Sequence, residues 1–167
     1  EDNLNILITG GAGFIGSCLI KKLLNYTNAN IFNLDKISYT SDFSQIEESN
    51  RLENYNFIKT DLNNYEATKI AINKSNPDFI FHLAAESHVD RSIDNSRPFI
   101  QSNIIGTFNI LEATKSYWMD LSNSKRKTFR FLHVSTDEVF GSLGREGSFS
   151  EKTAYDPRSP YSASKAA

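Results

Sequence analysis

The sequence predicts an α/β protein built on a doubly wound parallel sheet, and three observations carry that expectation. Short apolar runs alternate with segments of helical periodicity along the 167 residues. One run, Asp78-Phe79-Ile80-Phe81-His82-Leu83-Ala84, is apolar nearly throughout, as in a strand covered by helices on both faces. The first run ends in a glycine-rich turn that opens a helix. Parallel neighbours need right-handed crossover connections, so the expected strand order is 3-2-1-4-5. A ligand crevice then lies at the carboxyl ends of strands one and four, where the order reverses.

Taken in order, Leu4 to Thr9 forms the first strand, and Ile15, Leu19, Ile20, Leu23 and Leu24 recur at helical spacing after it. The second strand, Asn30 to Leu34, stops at Asp35. A polar stretch with a short helix, Phe43 to Arg51, leads to the third strand, Tyr55 to Thr60. Asn63 or Asn64 caps a helix carrying Ala67, Ile70 and Ala71, which ends before Asn76-Pro77 because the residue before proline avoids helical angles. After the fourth strand, Pro98 to about Met119 is the longest helical stretch. A charged turn, Ser122 to Lys127, leads into the fifth strand, Phe129 to Ser135, and Gly141, Gly144, Gly147, Pro157 and Pro160 mark a long loop. Residues 1–167 read as one domain without repeats or linkers.

A net charge of −2 and a pI near 5.9 provide no basic field for nucleic acid or anionic lipid. No apolar run approaches the roughly 18 residues a membrane helix needs, so a cytoplasmic protein is expected, with no nucleic-acid or membrane partner. Cys18 is the single cysteine, which excludes an intramolecular disulfide or a thiolate zinc cluster. Its place beside Leu19 and Ile20 predicts core packing. His82 and His133 lie within apolar strands and are expected as buried, satisfied side chains; no metal-ligand spacing joins the histidines.

Gly10, Gly13 and Gly16 allow a tight turn and let the backbone approach a pyrophosphate at the helix N-terminus. The spacing is one residue longer than G-x-G-x-x-G, and glycines also serve plain packing turns. Asp35, ending the second strand, is placed to accept hydrogen bonds from both adenosine ribose hydroxyls and to repel a 2′-phosphate. That favours NAD over NADP, although Lys36 softens the discrimination. Asp61, ending the third strand, meets the adenine amino group or starts the next helix. Tyr161 and Lys165 share a helix face if Pro160 begins that helix, and a nearby ammonium stabilises a tyrosinate that takes a proton from a sugar hydroxyl. Ser135 and Thr136 both offer a helper hydroxyl. The adjacent carboxyls of Asp137 and Glu138 supply the acid and the base that eliminating water across two carbons requires.

Together the glycine turn, Asp35 and Tyr161-x-x-x-Lys165 resemble the extended short-chain dehydrogenase/reductases that act on nucleotide sugars. Thr136-Asp137-Glu138-Val139-Phe140-Gly141 is similar to the signature of the dTDP-glucose 4,6-dehydratase family. So are the segments from Leu34 to Tyr39, from His82 to Ser92 and from Tyr155 to Ala167. Register with the motif favours Thr136 as the helper hydroxyl.

The resemblance implies a Rossmann-like NAD-binding domain and residue roles within it. Tyr161 takes the proton from the sugar 4-hydroxyl as hydride passes to NAD, and Lys165 holds the nicotinamide ribose. Glu138 removes the carbon-5 proton and Asp137 protonates the leaving 6-hydroxyl. Thr136 and Ser87 bind the sugar. Phe14, Ile15, Asp35, Lys36, Ile37, Ser38, Asp61, Leu62, Leu83, Ala84, Ala85, Glu86, Ser87 and Ser102 match the NAD contacts, alongside Gly10, Gly13 and Gly16. No metal is implied. The family's remaining strands and C-terminal substrate domain lie beyond residue 167, so a truncated domain is expected. The complete protein is expected to dehydrate dTDP-glucose as a homodimer, using the helix from Pro98. Two alternatives stay open: a noncatalytic NAD-binding or assembly module, and another nucleotide-sugar epimerase or dehydratase.

Overall fold

The computed structural model describes residues 3–37, 41, 49 and 52–167; of the short helix expected between Phe43 and Arg51, Ser49 alone, helical and buried, is among the described residues. The chain runs through β1 (Asn5–Thr9), α1 (Phe14–Tyr26), β2 (Asn30–Asp35), β3 (Tyr55–Lys59), α2 (Tyr65–Ser75), β4 (Phe79–His82), α3 (Val89–Asp94) and α4 (Arg97–Phe99). A π-helical turn, Ile100–Gly106, then leads into α5 (Thr107–Asp120), followed by α6 (Asn123–Thr128), β5 (Arg130–His133), a 3-10 turn at Asp137–Phe140, and α7 (Pro160–Ala166). The strands form a sheet in the order β3-β2-β1-β4-β5, parallel throughout, as the alternation of elements predicts.

β1 is the central strand, and its alternating side chains divide the core. Leu7 joins Leu34, Ile80, Ile72, Ile110 and Tyr117 on the face covered by α2 and α5, while Ile6 and Ile8 join Ile20, Ile31 and Tyr55 on the face covered by α1. Leu7, Ile8, Ile31 and Ile80 are at most 1% exposed, and burying each such side chain contributes about 1.5–3 kcal/mol. The parallel register brings Thr9, Asp35 and His82 to one edge of the sheet. The loops that follow them therefore converge there.

Local signals set the element ends. Asn64 caps α2 by accepting the Ala67 amide at 3.0 Å, and Asn76 closes it in the left-handed region at φ 42°, directly before Pro77. At α7, Ser159 and Ser162 form a reciprocal capping box, and Pro160 occupies the first turn, where no amide partner is needed.

Four expectations change. The long helix from Pro98 is not uniformly α-helical: its π turn lets Asn103, 5% exposed, point inward between the loop after β4 and α7. The charged segment expected as a turn contains α6, which Ser122 caps through the Lys125 amide. Cys18 is exposed, because on α1 it shares the outer row with Phe14, Lys22 and Tyr26, while Gly16, Ser17 and Ile20 face the sheet. His133 is exposed on β5, at the edge of the described sheet, whereas His82 on interior β4 is buried.

Candidate active site

A cleft of about 440 Å³ lies at the carboxyl ends of β1 and β4. It is built from the glycine turn upward. Gly10 adopts φ +71°, and a Cβ there would sit 2.7 Å from the Ala84 backbone, so the turn nests against the loop after β4 only as glycine. A Cβ on Gly16 would strike the carbonyl of Gly10, which seats the first turn of α1 on the glycine loop. Gly13 caps α1 with no side-chain partner and no acidic residue in the first turn, leaving that end available to an anion.

Asp35 is fixed beside the turn. Its two carboxylate oxygens accept the Ala12 amide at 3.0 Å and the Ile37 amide at 2.7 Å, with Ile37 held at φ 61°. Opposite, the Ala84 amide donates to Thr9 Oγ1 at 3.2 Å, and Thr9 Oγ1 lies 2.6 Å from His82 Nδ1. The other ring nitrogen of His82 lies 3.0 Å from Thr107 Oγ1. The Thr9 and Thr107 hydroxyls can each donate or accept, so a neutral ring is satisfied at both nitrogens, donating from one and accepting at the other. Burial, then the charges of His133 and Lys165, push His82 down to about 3.

The reacting groups come together from three segments. Thr136 caps the 3-10 turn by accepting the Glu138 amide at 3.2 Å, and its hydroxyl is near enough to the Tyr161 phenol to act on its ionisation. Asp137 Oδ1 lies 3.4 Å from Thr136 Oγ1. Tyr161 is anchored through its own amide, which donates to Ser92 Oγ at 3.1 Å, and through an edge-on ring contact with Phe99. Lys165 Nζ donates to the Val134 carbonyl at 2.8 Å and lies 3.5 Å from His133 Nε2.

The electrostatics differ from expectation in one respect. Burial raises the Tyr161 phenol above its ordinary value; the Thr136 hydroxyl opposes this, and the Glu138 and Asp137 carboxylates add to it. Burial also lowers Lys165. The ammonium is turned to the Val134 carbonyl, so the tyrosinate stabilisation expected from it is not developed in this arrangement.

Of the residues selected from sequence, Gly10, Gly13, Phe14, Ile15, Gly16, Asp35, Lys36, Asp61, Leu62, Leu83, Ala84, Ala85, Glu86, Ser87, Ser102, Tyr161 and Lys165 line the cleft. Ile37 does not line it, and acts through its amide on Asp35. Ser38 lies outside the described residues. Thr136, Asp137 and Glu138 adjoin the cleft through Tyr161, whereas Ser135, the other helper candidate, is part of its wall. His88, inside the segment from His82 to Ser92, and Thr60, at the end of the expected third strand, also line it without being among the residues selected. Ser92 holds the Tyr161 amide, and Asn103 holds the Glu86 backbone and Ser164. Among the described residues, no cluster of three or more His, Cys, Asp or Glu is arranged for a metal, and no helix is long and apolar enough to cross a membrane.

Residues 7–167 match the family model described as GDP-mannose 4,6 dehydratase. The chain belongs to that family. Within it, the chain is 48% identical over 165 residues to a dTDP-glucose 4,6-dehydratase of Haemophilus influenzae, covering 98% of this chain and 49% of the relative. The solved dTDP-glucose 4,6-dehydratase of Bacillus anthracis, in complex with NAD, superposes with a TM-score of 0.81 at 38% identity, over 98% of this chain and 47% of that one. A UDP-glucose 4-epimerase of Thermus thermophilus with NAD gives 0.80 at 28% identity, over 96% and 47%. This dehydratase-family chain thus spans about half the length of the relatives it matches. Its fold is the Rossmann-like sheet they share.

Proposed function

We propose that the chain is the NAD-binding part of a dTDP-glucose 4,6-dehydratase, forming dTDP-4-keto-6-deoxyglucose. One observation carries the reading: the Tyr161 phenol lies within electrostatic reach of the Thr136 hydroxyl and of the adjacent Asp137 and Glu138 carboxylates, which puts a hydroxyl-directed base next to an acid and a second base. An epimerase needs only the first of these. The cradle fits the cofactor, because Gly10 and Gly16 admit no side chain, the end of α1 carries no competing cap, and Asp35 is held by two amides at the place for a ribose diol. When bound, NAD supplies the hydride acceptor for carbon 4 and returns the hydride to carbon 6.

The chain's own residues do the proton work. Tyr161 takes the proton of the 4-hydroxyl, with Thr136 orienting the phenol and the sugar oxygen. Burial carries this phenol further above neutrality, so its ionisation needs added positive charge, which the Lys165 ammonium, one helical turn on, would supply by turning from the Val134 carbonyl toward it. The 4-ketone acidifies the carbon-5 hydrogen, which Glu138 removes. Asp137 gives its proton to the departing 6-hydroxyl, which leaves as water, and Glu138 returns its proton to carbon 5 as carbon 6 is reduced, so that over the reaction Tyr161 gains one proton and Asp137 loses one. Ser87, exposed at the cleft, binds the sugar.

For the complete protein we propose a homodimer. Supporting this, Ile100, Ile105, Phe108 and Leu111 leave an exposed apolar row along the π turn and α5. The raised Tyr161 phenol and the Lys165 ammonium turned to the Val134 carbonyl favour a second reading, a noncatalytic NAD-binding module. Incubation with NAD and dTDP-glucose, with detection of the alkali-absorbing 4-keto product, separates the two. Product that disappears in Asp137→Asn and Glu138→Gln supports dehydration; NADH binding without turnover supports the module; failure to bind NADH refutes both.

A further inference from the structure

We propose that Glu86 sets the choice between NAD and NADP by holding Lys36 away from the adenosine 2′ position. The inference rests on the cofactor reading above. Lys36 follows Asp35 directly, so from sequence it counts against selectivity: an ammonium beside the ribose carboxylate offers a counter-charge to a 2′-phosphate. The structure assigns that ammonium elsewhere. Lys36 Nζ lies 3.5 Å from Glu86 Oε1 in the loop after β4, across the glycine turn of β1 that lies between them in the sheet.

Glu86 is the fixed member of the pair. Its amide donates to Asn103 Oδ1 at 2.9 Å and its carbonyl accepts from Asn103 Nδ2 at 2.9 Å. Asn103 is itself buried and donates also to Ser164 Oγ at 2.8 Å, so the backbone from which the Glu86 carboxylate extends is tied to both the π turn and α7. The Glu86 side chain is 18% exposed against 37% for Lys36, consistent with the lysine reaching to a held carboxylate.

The charge balance at the adenosine end follows. Among the described lining residues, the Lys and Arg side chains are Lys36 and Lys165, and Lys165 is engaged at the Val134 carbonyl beyond β4. A 2′-phosphate brought to Asp35 would therefore meet that carboxylate with Lys36 already neutralised. A 2′-hydroxyl needs no cation and is unaffected. Selectivity is thus a three-residue property, in which Asp35 repels, Lys36 could compensate, and Glu86 prevents it.

Binding of NADH and NADPH, followed by nicotinamide fluorescence, tests this in the wild-type chain and in Glu86→Gln, Lys36→Gln and the double variant. Freeing Lys36 in Glu86→Gln is expected to strengthen NADPH relative to NADH by about two- to fivefold, the range of a partly exposed ion pair. The gain should vanish in the Lys36→Gln background and shrink at high salt. A gain that persists without Lys36 would reflect only the removal of a negative charge near an anionic ligand, and would overturn the proposal. An unchanged ratio in Glu86→Gln would overturn it as well. Binding of neither nucleotide to the wild-type chain would overturn the cofactor reading and this inference with it, whereas NADH binding with an unchanged ratio removes the inference alone.

Discussion

Acid should loosen the chain at His82 before it reaches the carboxylates. His82 is 1% exposed, and its two ring nitrogens are held between the Thr9 and Thr107 hydroxyls. Protonation would make both nitrogens donors, so whichever hydroxyl, that of Thr9 or that of Thr107, had been donating to the ring would lose its acceptor. The folded pKa of about 3 lies below the ordinary 6.5. A depressed value means that the stabilisation is complete above the unfolded pKa and is lost as pH falls from about 6.5 toward about 3. At 1.36 kcal/mol per unit, lowering the pH from 7 to 4 removes about 3 kcal/mol through this group. Urea melts of the wild-type chain and His82→Gln across that range provide the assay. The glutamine variant keeps a donor and an acceptor but does not titrate, so the wild type should lose about 3 kcal/mol more than the variant between pH 7 and 4. Parallel losses in the two proteins would refute a neutral, buried anchor at this position.

Two other perturbations probe the scaffold. Ser92→Ala removes the acceptor of the Tyr161 amide at the buried contact between α3 and α7, and should destabilise the chain by about 1–3 kcal/mol in urea melts; Ser92→Thr, which keeps the hydroxyl, should recover part of that loss. Gly10→Ala puts a Cβ at 2.7 Å from the Ala84 backbone and holds alanine at φ +71°, so a loss of at least about 1–3 kcal/mol and of NADH binding is expected by urea melt and fluorescence titration.

The sheet was legible because its strands are contiguous apolar runs and its order follows from the handedness of crossovers. Gly10, Asp35 and Lys165 could be picked out because each sits at a strand end or at a set spacing on a helix. What stayed hidden depends on partners far along the chain. Asn103 is an ordinary helix residue until the π turn aims it at Glu86 and Ser164, and periodicity carries no mark of that wider turn. Cys18 and His133 have apolar neighbours, yet which face of α1 meets the sheet, and which strand lies at its edge, decide their exposure. The Tyr161 phenol was expected to be eased toward ionisation by Lys165; burial and two carboxylates prevail because the ammonium has found a carbonyl instead.

The central position of β1 also has a consequence for how the chain acquires its structure. Its partner on one side, β2, follows within a few turns of chain, but its partner on the other, β4, pairs Thr9 with His82 across a separation of 73 residues. During synthesis the first three strands can assemble while the far edge of β1, with Ile6, Leu7 and Ile8, still lacks its neighbour. Closing so distant a pairing is slow relative to local contacts, and an open apolar edge in the interval invites association with other chains. A nascent chain paused before Phe79 should therefore be the species most in need of chaperone protection, and one released after His133 should need it least.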